Sequence, residues 1–201
     1  MSAFPDTPKT LLSRMAAQVT GESEANWVRF FDLYQPVIRR FAEYVGARGN
    51  AEDVVQDVFL KLVKAFRSGA YKPDKGSFRA YLSTIIRREV VNLWHKAQVR
   101  GEGRQVTIDD EAHPVEVAEP SVTAAVIDAK WRMARHTAAI EHVLTKTALS
   151  AQSKAVYRAY VLEERPIGEV ARSFGLPNNS VSQVKTRVER MIADYESMFG
   201  E

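Results

Sequence analysis

The sequence predicts an all-α protein with two small helical domains joined by a flexible acidic linker. Apolar residues recur at steps of three and four through most of the chain, and no segment alternates with period two for long enough to suggest a sheet. Between residues 100 and 121 this periodicity is lost, and Gly and Pro are frequent. We therefore predict an N-terminal extension at 1–23, domains at 24–97 and 121–201, and a linker at 98–120.

Order in the first domain is predicted to begin near Asn26, because aromatic residues then recur at helical spacing. Pro36 is well placed in the first turn of a second helix, where its missing N–H is not needed. Turns follow wherever Gly, Pro and Asn cluster. The predicted elements are a helix ending before Pro36, a helix from Pro36 to Val45, a turn at 46–50, a helix at 51–66, a loop at 67–77 and a helix at 78–97.

The last fifty residues carry the pattern of a helix-turn-helix. An apolar helix at 155–162 precedes Ile167, Val170 and Ala171 at helical spacing, and Gly175 can turn at positive φ. Leu176 is expected to pack back between the two helices. A further helix then begins, capped by Asn178 or Asn179, with Val181, Val184 and Val188 on its inner face.

The outer face of this last helix carries side chains that suit phosphates and base edges in a major groove. DNA binding is therefore the leading hypothesis for the C-terminal domain. The residues expected to contact DNA are Asn179, Ser182, Gln183, Lys185, Thr186, Arg187 and Arg190.

Composition excludes several other classes of function. There is no cysteine, and the four histidines lack metal-ligand spacing, so we expect no metal site and no cofactor. No phosphate-binding loop or nucleophile elbow is present, and we do not expect an enzyme. No stretch reaches the roughly 20 apolar residues that span a bilayer, which favours a soluble cytoplasmic protein. The net charge of +3 is too small to indicate nucleic-acid binding by itself.

The helix at 51–66 has an outer stripe of Asp53, Gln56, Asp57 and Leu60. A leucine between carboxylates is typical of a protein-docking surface. The alternative is a solvated face, because acids favour the start of a helix and single exposed leucines are common.

The helix at 78–97 has an outer stripe of Arg88, Asn92 and His95, flanked by Thr84, Arg87 and Lys96. Tyr71 and Lys72 precede it, so this face offers positive charge, donors and a ring that could stack on an unpaired base. The alternative is a solvated basic face, with Tyr71 and Trp94 packed on the core.

Three stretches, in this order, resemble the extracytoplasmic-function sigma factors of bacterial RNA polymerase. Residues 51–59 look like the polymerase-docking helix, and residues 71–82 look like the loop and helix that engage the melted minus-ten strand. Residues 149–152, 165–171 and 181–187 are similar to the minus-thirty-five module. The resemblance covers 27–97 and 149–195.

This resemblance implies a factor that binds core RNA polymerase and promoter DNA, with the docking stripe on the largest polymerase subunit. It also implies that an anti-sigma factor would clamp both domains and that the acidic linker would thread toward the active centre. The implied strand-binding residues are Tyr71, Lys72, Lys75, Ser77, Arg87, Arg88, Asn92 and Lys96.

A helix-turn-helix repressor or activator remains the alternative. Such a protein would bind its duplex site alone, as a dimer, with two modules about one helical turn apart. Its N-terminal helices would form a dimer interface or a ligand-sensing domain.

Overall fold

The computed structural model describes residues 11–12, 15, 23–47, 49–72, 77–102 and 124–199, without the side chains of residue 23 and residues 97–102. All regular structure in these residues is helical, as the sequence predicts. The described residues separate into two compact units, one ending at Arg135 and the other beginning at His136. The predicted linker lies largely outside the described residues.

The N-terminal unit contains three long helices, and a fourth helix extends into the C-terminal unit, which adds three more. They are α1 (Ser23–Val45), α2 (Ala51–Arg67), α3 (Phe78–Glu102), α4 (Ala124–Lys146), α5 (Ala151–Tyr157, continued by a π-helical turn at Arg158–Leu162), α6 (Ile167–Phe174) and α7 (Asn178–Ser197).

Helix α1 corrects the prediction of two helices that meet at Pro36. The helix runs unbroken from Ser23 to Val45, with Pro36 in its interior. An interior proline removes one backbone hydrogen bond and costs about 3 kcal/mol in an isolated helix. Phe30, Val37 and Phe41 are all fully buried on the same continuous face, so packing offsets this cost.

One other boundary differs from the prediction. Helix α3 continues to Glu102, so residues 98–102 are helical rather than part of a linker. In the predicted extension, Leu11, Leu12 and Met15 are helical and buried. Burial of these apolar side chains stabilises the fold even though their periodicity is weak.

The core of the N-terminal unit is aromatic. The Phe30 ring lies 4.5 Å from that of Tyr34 in a stacked pair and 5.8 Å from that of Phe78 in an edge contact. Phe59 and Phe66 approach the same ring from α2, at 5.9 and 6.5 Å. Such pairs add stabilisation beyond the burial of area, so this cluster holds α1, α2 and α3 together.

The C-terminal unit is held by small and branched side chains. Val156 and Ala159 pack with Val170, Ala171 and Val181, and the side chains packed against them are Tyr160, Ile167, Phe174, Leu176 and Val184. Gly175 ends α6 with φ +64°, the left-handed conformation expected of a residue at this turn. Helix α7 begins at Asn178 after Pro177, and no side chain caps it. The capping role predicted for Asn178 or Asn179 is therefore wrong, since Asn178 already lies within the helix.

Candidate nucleic-acid and protein interfaces

The outer stripe of α2 is open to solvent. Asp53 and Gln56 are exposed, Asp57 is half-buried, and Leu60 is 61% exposed. Neither aspartate forms an ion pair within the part of the chain that the structure describes. This stripe combines negative charge that has no ion-pair partner among the described residues with an exposed apolar side chain.

An exposed aromatic residue on α1 extends this surface. Phe31 is 45% exposed, and its ring lies 4.6 Å from that of Phe59 on α2. The sequence pattern counted Phe31 with the helical core. Consecutive residues on a helix point about 100° apart, and Phe31 lies at the edge of the buried face whose centre is Phe30.

Tyr71 lies in the core of the N-terminal unit and not on the outer face of α3. It is 9% exposed, with its ring centroid 5.0 Å from Phe66, 5.5 Å from Phe78 and 5.2 Å from Tyr81. Burial, followed by the neighbouring Tyr81, raises the pKa of Tyr71, which keeps the phenol neutral. The stacking role predicted for Tyr71 is not supported, because its ring faces are already covered by other aromatic rings.

Tyr81 is the half-buried aromatic of this region. Its ring rests on Tyr71, and burial raises the pKa of Tyr81 while the charge of Arg88 partly opposes that rise. Arg88, a member of the basic stripe on α3, therefore lies near the phenol of Tyr81.

Ser77 performs a structural task at the start of α3. Its Oγ accepts a hydrogen bond from the Ala80 N–H at 3.2 Å, which is the arrangement of an N-terminal cap. Lys72 is exposed beside the start of this region, whereas Lys75 lies outside the described residues. Ser77 therefore caps the start of α3 and is also exposed to solvent.

The outer face of α3 is basic, and its members differ in accessibility. Arg88 and Lys96 are exposed, whereas Arg87 and Asn92 are half-buried. Trp94 is half-exposed, and its Nε1 donates to the Gly46 carbonyl at 3.2 Å. Trp94 thus packs on the turn between α1 and α2. Because it is 47% exposed, it does not lie in the core, where the alternative interpretation of this face expected it.

The outer face of α7 presents most of its predicted DNA contacts to solvent. The exposed members are Asn179, Ser182, Gln183, Thr186, Arg187 and Arg190. Lys185 is half-buried, with its Nζ 3.7 Å from Glu189 Oε1 and 6.0 Å from the Tyr160 ring centroid. The Lys185 side chain is therefore held against its own unit, a constraint that depends on the fold of the π-helical turn.

A groove runs between the start of α5 and α7, with a volume of about 270 Å³. Its floor includes Val156 and Val188, which are fully buried, and its rim includes Gln183 and Arg187. Two predicted DNA-contact residues thus border an apolar depression.

Two further properties bear on the class of protein. Within the described ranges, no group of three or more His, Asp or Glu side chains is arranged to hold a metal ion. Among those same residues, no helix is both long and apolar enough to cross a membrane.

Comparison with known proteins finds similarity to sigma factors. Residues 30–100 match the family model for sigma-70 region 2, a range that includes all of α2 and most of α1 and α3. The ECF RNA polymerase sigma factor BldN of Streptomyces coelicolor is 26% identical over 179 residues, covering 86% of this chain and 61% of that protein. This chain thus spans less than two thirds of that relative's length.

A solved structure of an RsbN–BldN complex contains a chain that is 20% identical. The match covers 91% of this chain and 97% of that chain, with a TM-score of 0.33. At this TM-score, the likeness does not indicate what this chain binds.

Residues 30–100 are thus similar to sigma-70 region 2. Together with the similarity to BldN, this match agrees with the resemblance to the extracytoplasmic-function (ECF) sigma factors that the sequence predicts.

Proposed function

We propose that this chain binds core RNA polymerase and directs promoter recognition, DNA melting and the initiation of transcription. The observation that carries the proposal is the pairing of two surfaces on one sigma-70 region 2 domain. One surface is acidic and apolar, with no ion-pair partner for Asp53 or Asp57 among the described residues, and the other is basic. A protein docks at the first surface, and a nucleic-acid strand binds at the second.

The α2 stripe is the polymerase contact. Asp53, Gln56 and Asp57 offer charge and hydrogen-bond acceptors, and Leu60 supplies the apolar centre that a hot spot requires. Phe31 enlarges that centre from α1. A complementary partner surface would carry basic side chains around an apolar centre. The family resemblance assigns this contact to the coiled coil of the largest polymerase subunit.

The outer face of α3 holds the melted minus-ten strand. Arg88 and Lys96 are free to approach phosphates, and Arg87 and Asn92 lie beside them. Unstacking a base costs a few kcal/mol, so several strand contacts together are needed to keep the duplex open. Tyr81, rather than the buried Tyr71, is the aromatic side chain that we expect nearest to the strand on this face.

The α7 face reads the upstream duplex. Ser182, Gln183 and Thr186 can hydrogen-bond to base edges, and Arg187 and Arg190 can contact phosphates or guanine. Lys185 adds positive charge beside this face, and its exposed ion pair with Glu189 is weak enough for a phosphate to replace.

Co-elution with purified core polymerase is the most direct test. The proposal requires the chain to elute with core polymerase at low micromolar concentrations and to support transcription from a promoter. Failure to co-elute would overturn it. Binding of a duplex site by a dimer without polymerase would instead favour the repressor or activator alternative.

An anti-sigma factor that covers the α2 stripe is part of the same proposal. Exposed Leu60 and Phe31 give such a partner an apolar site. Co-purification from the native host tests for it, and the partner should compete with core polymerase for the stripe.

A further inference from the structure

The first half of α4 packs within the N-terminal unit through a single large side chain. Trp131 is 3% exposed, and its ring lies 5.4 Å from that of Phe41, in an edge contact with a residue of α1 that is completely buried. A tryptophan buried to this extent contributes substantially to packing. It therefore fixes residues 124–135 against α1.

One helical turn earlier, an acidic side chain of α4 reaches the beginning of α3. Asp128 Oδ1 lies 3.3 Å from Arg79 Nη2, with the two side chains 43% and 38% exposed. Asp128 and Trp131 are three residues apart and so lie on the same face of α4. The buried tryptophan holds the carboxylate where it can reach the guanidinium.

Arg79 occupies a notable place in the sequence. It lies two residues after Ser77, which caps α3, and two residues before Tyr81. A guanidinium binds phosphate and carboxylate through the same donors and in the same geometry. Arg79 is thus suited to a nucleic-acid backbone at the strand-binding end of α3, although neither periodicity nor resemblance singled it out.

We propose that Arg79 is an additional contact to the single-stranded DNA backbone and that Asp128 is a built-in competitor for it. The Asp128 carboxylate takes the position of a phosphate until a strand displaces it. This inference rests on the proposed strand-binding role of α3. It adds a regulatory contact, one that links strand binding to the release of α4 from Arg79.

The strength of the contact suits displacement. An ion pair between side chains this exposed contributes between about 0.2 and 1 kcal/mol, so its loss changes strand affinity by no more than about fivefold. A strand that makes several phosphate contacts can overcome such a competitor, whereas an isolated phosphate ion cannot do so efficiently.

The test uses the full chain with a random-sequence single-stranded oligonucleotide at low ionic strength, where charge effects are largest. Asp128→Asn should tighten binding by about two- to fivefold, and Arg79→Ala should weaken it. In an Arg79→Ala background, Asp128→Asn should have no effect beyond the loss of one negative charge. The control for that loss is Asp32→Asn, which removes the same charge from an exposed site on α1.

Circular dichroism confirms that each variant is folded. The proposed competition would be overturned if Asp128→Asn binds the oligonucleotide no better than Asp32→Asn does. It would also be overturned if Asp128→Asn increases affinity equally in the Arg79→Ala background. If the wild type binds and Arg79→Ala binds equally well, only this inference fails. If neither the wild type nor any variant binds the oligonucleotide, both this inference and the proposed strand-binding role of α3 fail.

Discussion

Single residues set the sharp turn and the buried charge of the N-terminal unit. Gly46 has φ +116° beside the Trp94 ring, so both its backbone conformation and its lack of a Cβ are needed there. Glu89 is a carboxylate that is only 5% exposed, and Lys61 Nζ lies 2.8 Å from its Oε1 outside hydrogen-bonding geometry. The first residue shapes the turn after α1, and the second joins α2 to α3.

Gly46→Ala is expected to destabilise the protein by about 2 kcal/mol or more. A Cβ at this position would lie 2.5 Å from Trp94 Cζ2, so the indole must move and its hydrogen bond to the Gly46 carbonyl is lost. The measurement is urea unfolding, together with the fluorescence of Trp94.

Gly49→Ala provides the matched control. Gly49 also has a positive φ of +84°, but an added Cβ there would meet nothing within 4 Å. The destabilisation of Gly49→Ala should therefore reflect backbone strain alone. Equal destabilisation by the two variants would mean that the contact with Trp94 has no energetic weight.

Lys61→Met should destabilise folding by about 1 to 3 kcal/mol, because it leaves the Glu89 carboxylate buried without a counter-charge. The lower part of this range is expected, since the Lys61 side chain is 36% exposed and water screens the pair. Lys64→Met on the same helix removes an equal charge from an exposed position and should leave the free energy of unfolding nearly unchanged.

The double variant Lys61→Met with Glu89→Leu should regain most of the lost stability. Purely additive effects of the two substitutions would contradict coupling between the two side chains.

At the scale of elements, packing overrides local preference in α1 and links α4 to α7. An interior Pro36 is tolerated because the buried face of α1 continues past it. In the C-terminal unit, the His142 ring of α4 stacks on Tyr195 of α7, with centroids 4.3 Å apart. Burial, and then the charge of Lys146, lowers the pKa of His142 below its ordinary value.

This helix contact should make stability depend on pH. Because the pKa of His142 is lowered in the folded state, the unfolded chain binds the proton more readily. The contribution of the neutral ring is present above pH 6.5, the ordinary value, and is lost as pH falls from there toward the folded pKa.

Thermal melts between pH 7.5 and pH 5, in steps of about half a unit, test this expectation. The melting temperature of the wild type should fall toward the acidic end, and His142→Gln should show a shallower decline from a lower starting value. Identical slopes for the two proteins would exclude His142 as the cause.

At the scale of the whole molecule, function depends on surfaces that remain uncovered after folding. The α2 stripe keeps two carboxylates without partners among the described residues and an exposed Leu60, and these features have no evident role in stability. Residues that do not stabilise the fold can be replaced without unfolding it, which makes the docking proposal testable.

Asp57→Arg should weaken association with core polymerase by at least about tenfold, because a charge reversal faces a complementary partner surface. The circular dichroism spectrum and melting temperature should remain close to wild type. Glu163→Arg, on an exposed turn of the other unit, makes the same charge change and should bind normally. Polymerase affinity that is unchanged in Asp57→Arg would remove Asp57 from the docking role.

The predictability of the fold and of the sites differed for physical reasons. Helices α2 and α6 and the Gly175 turn were predictable because their signals are local: apolar spacing and a residue that accepts positive φ. The unbroken α1 was not predictable, since the penalty of Pro36 is local but the packing that offsets it comes from other helices. The stacking role of Tyr71 was a sound expectation for an aromatic residue in a basic segment, and only the surrounding rings exclude it.

The amino-acid sequence by itself determined the all-α class and the order of three motifs, and with them the resemblance to the ECF sigma factors. These properties depend on residue type and spacing along the chain. Tertiary structure alone decided that Tyr71 is buried, that the Lys185 ammonium lies 6.0 Å from the Tyr160 ring centroid and that Arg79 is paired with Asp128. Accessibility and charge pairing depend on which segments meet in space, so most of them cannot be read from the spacing of residues within one helix.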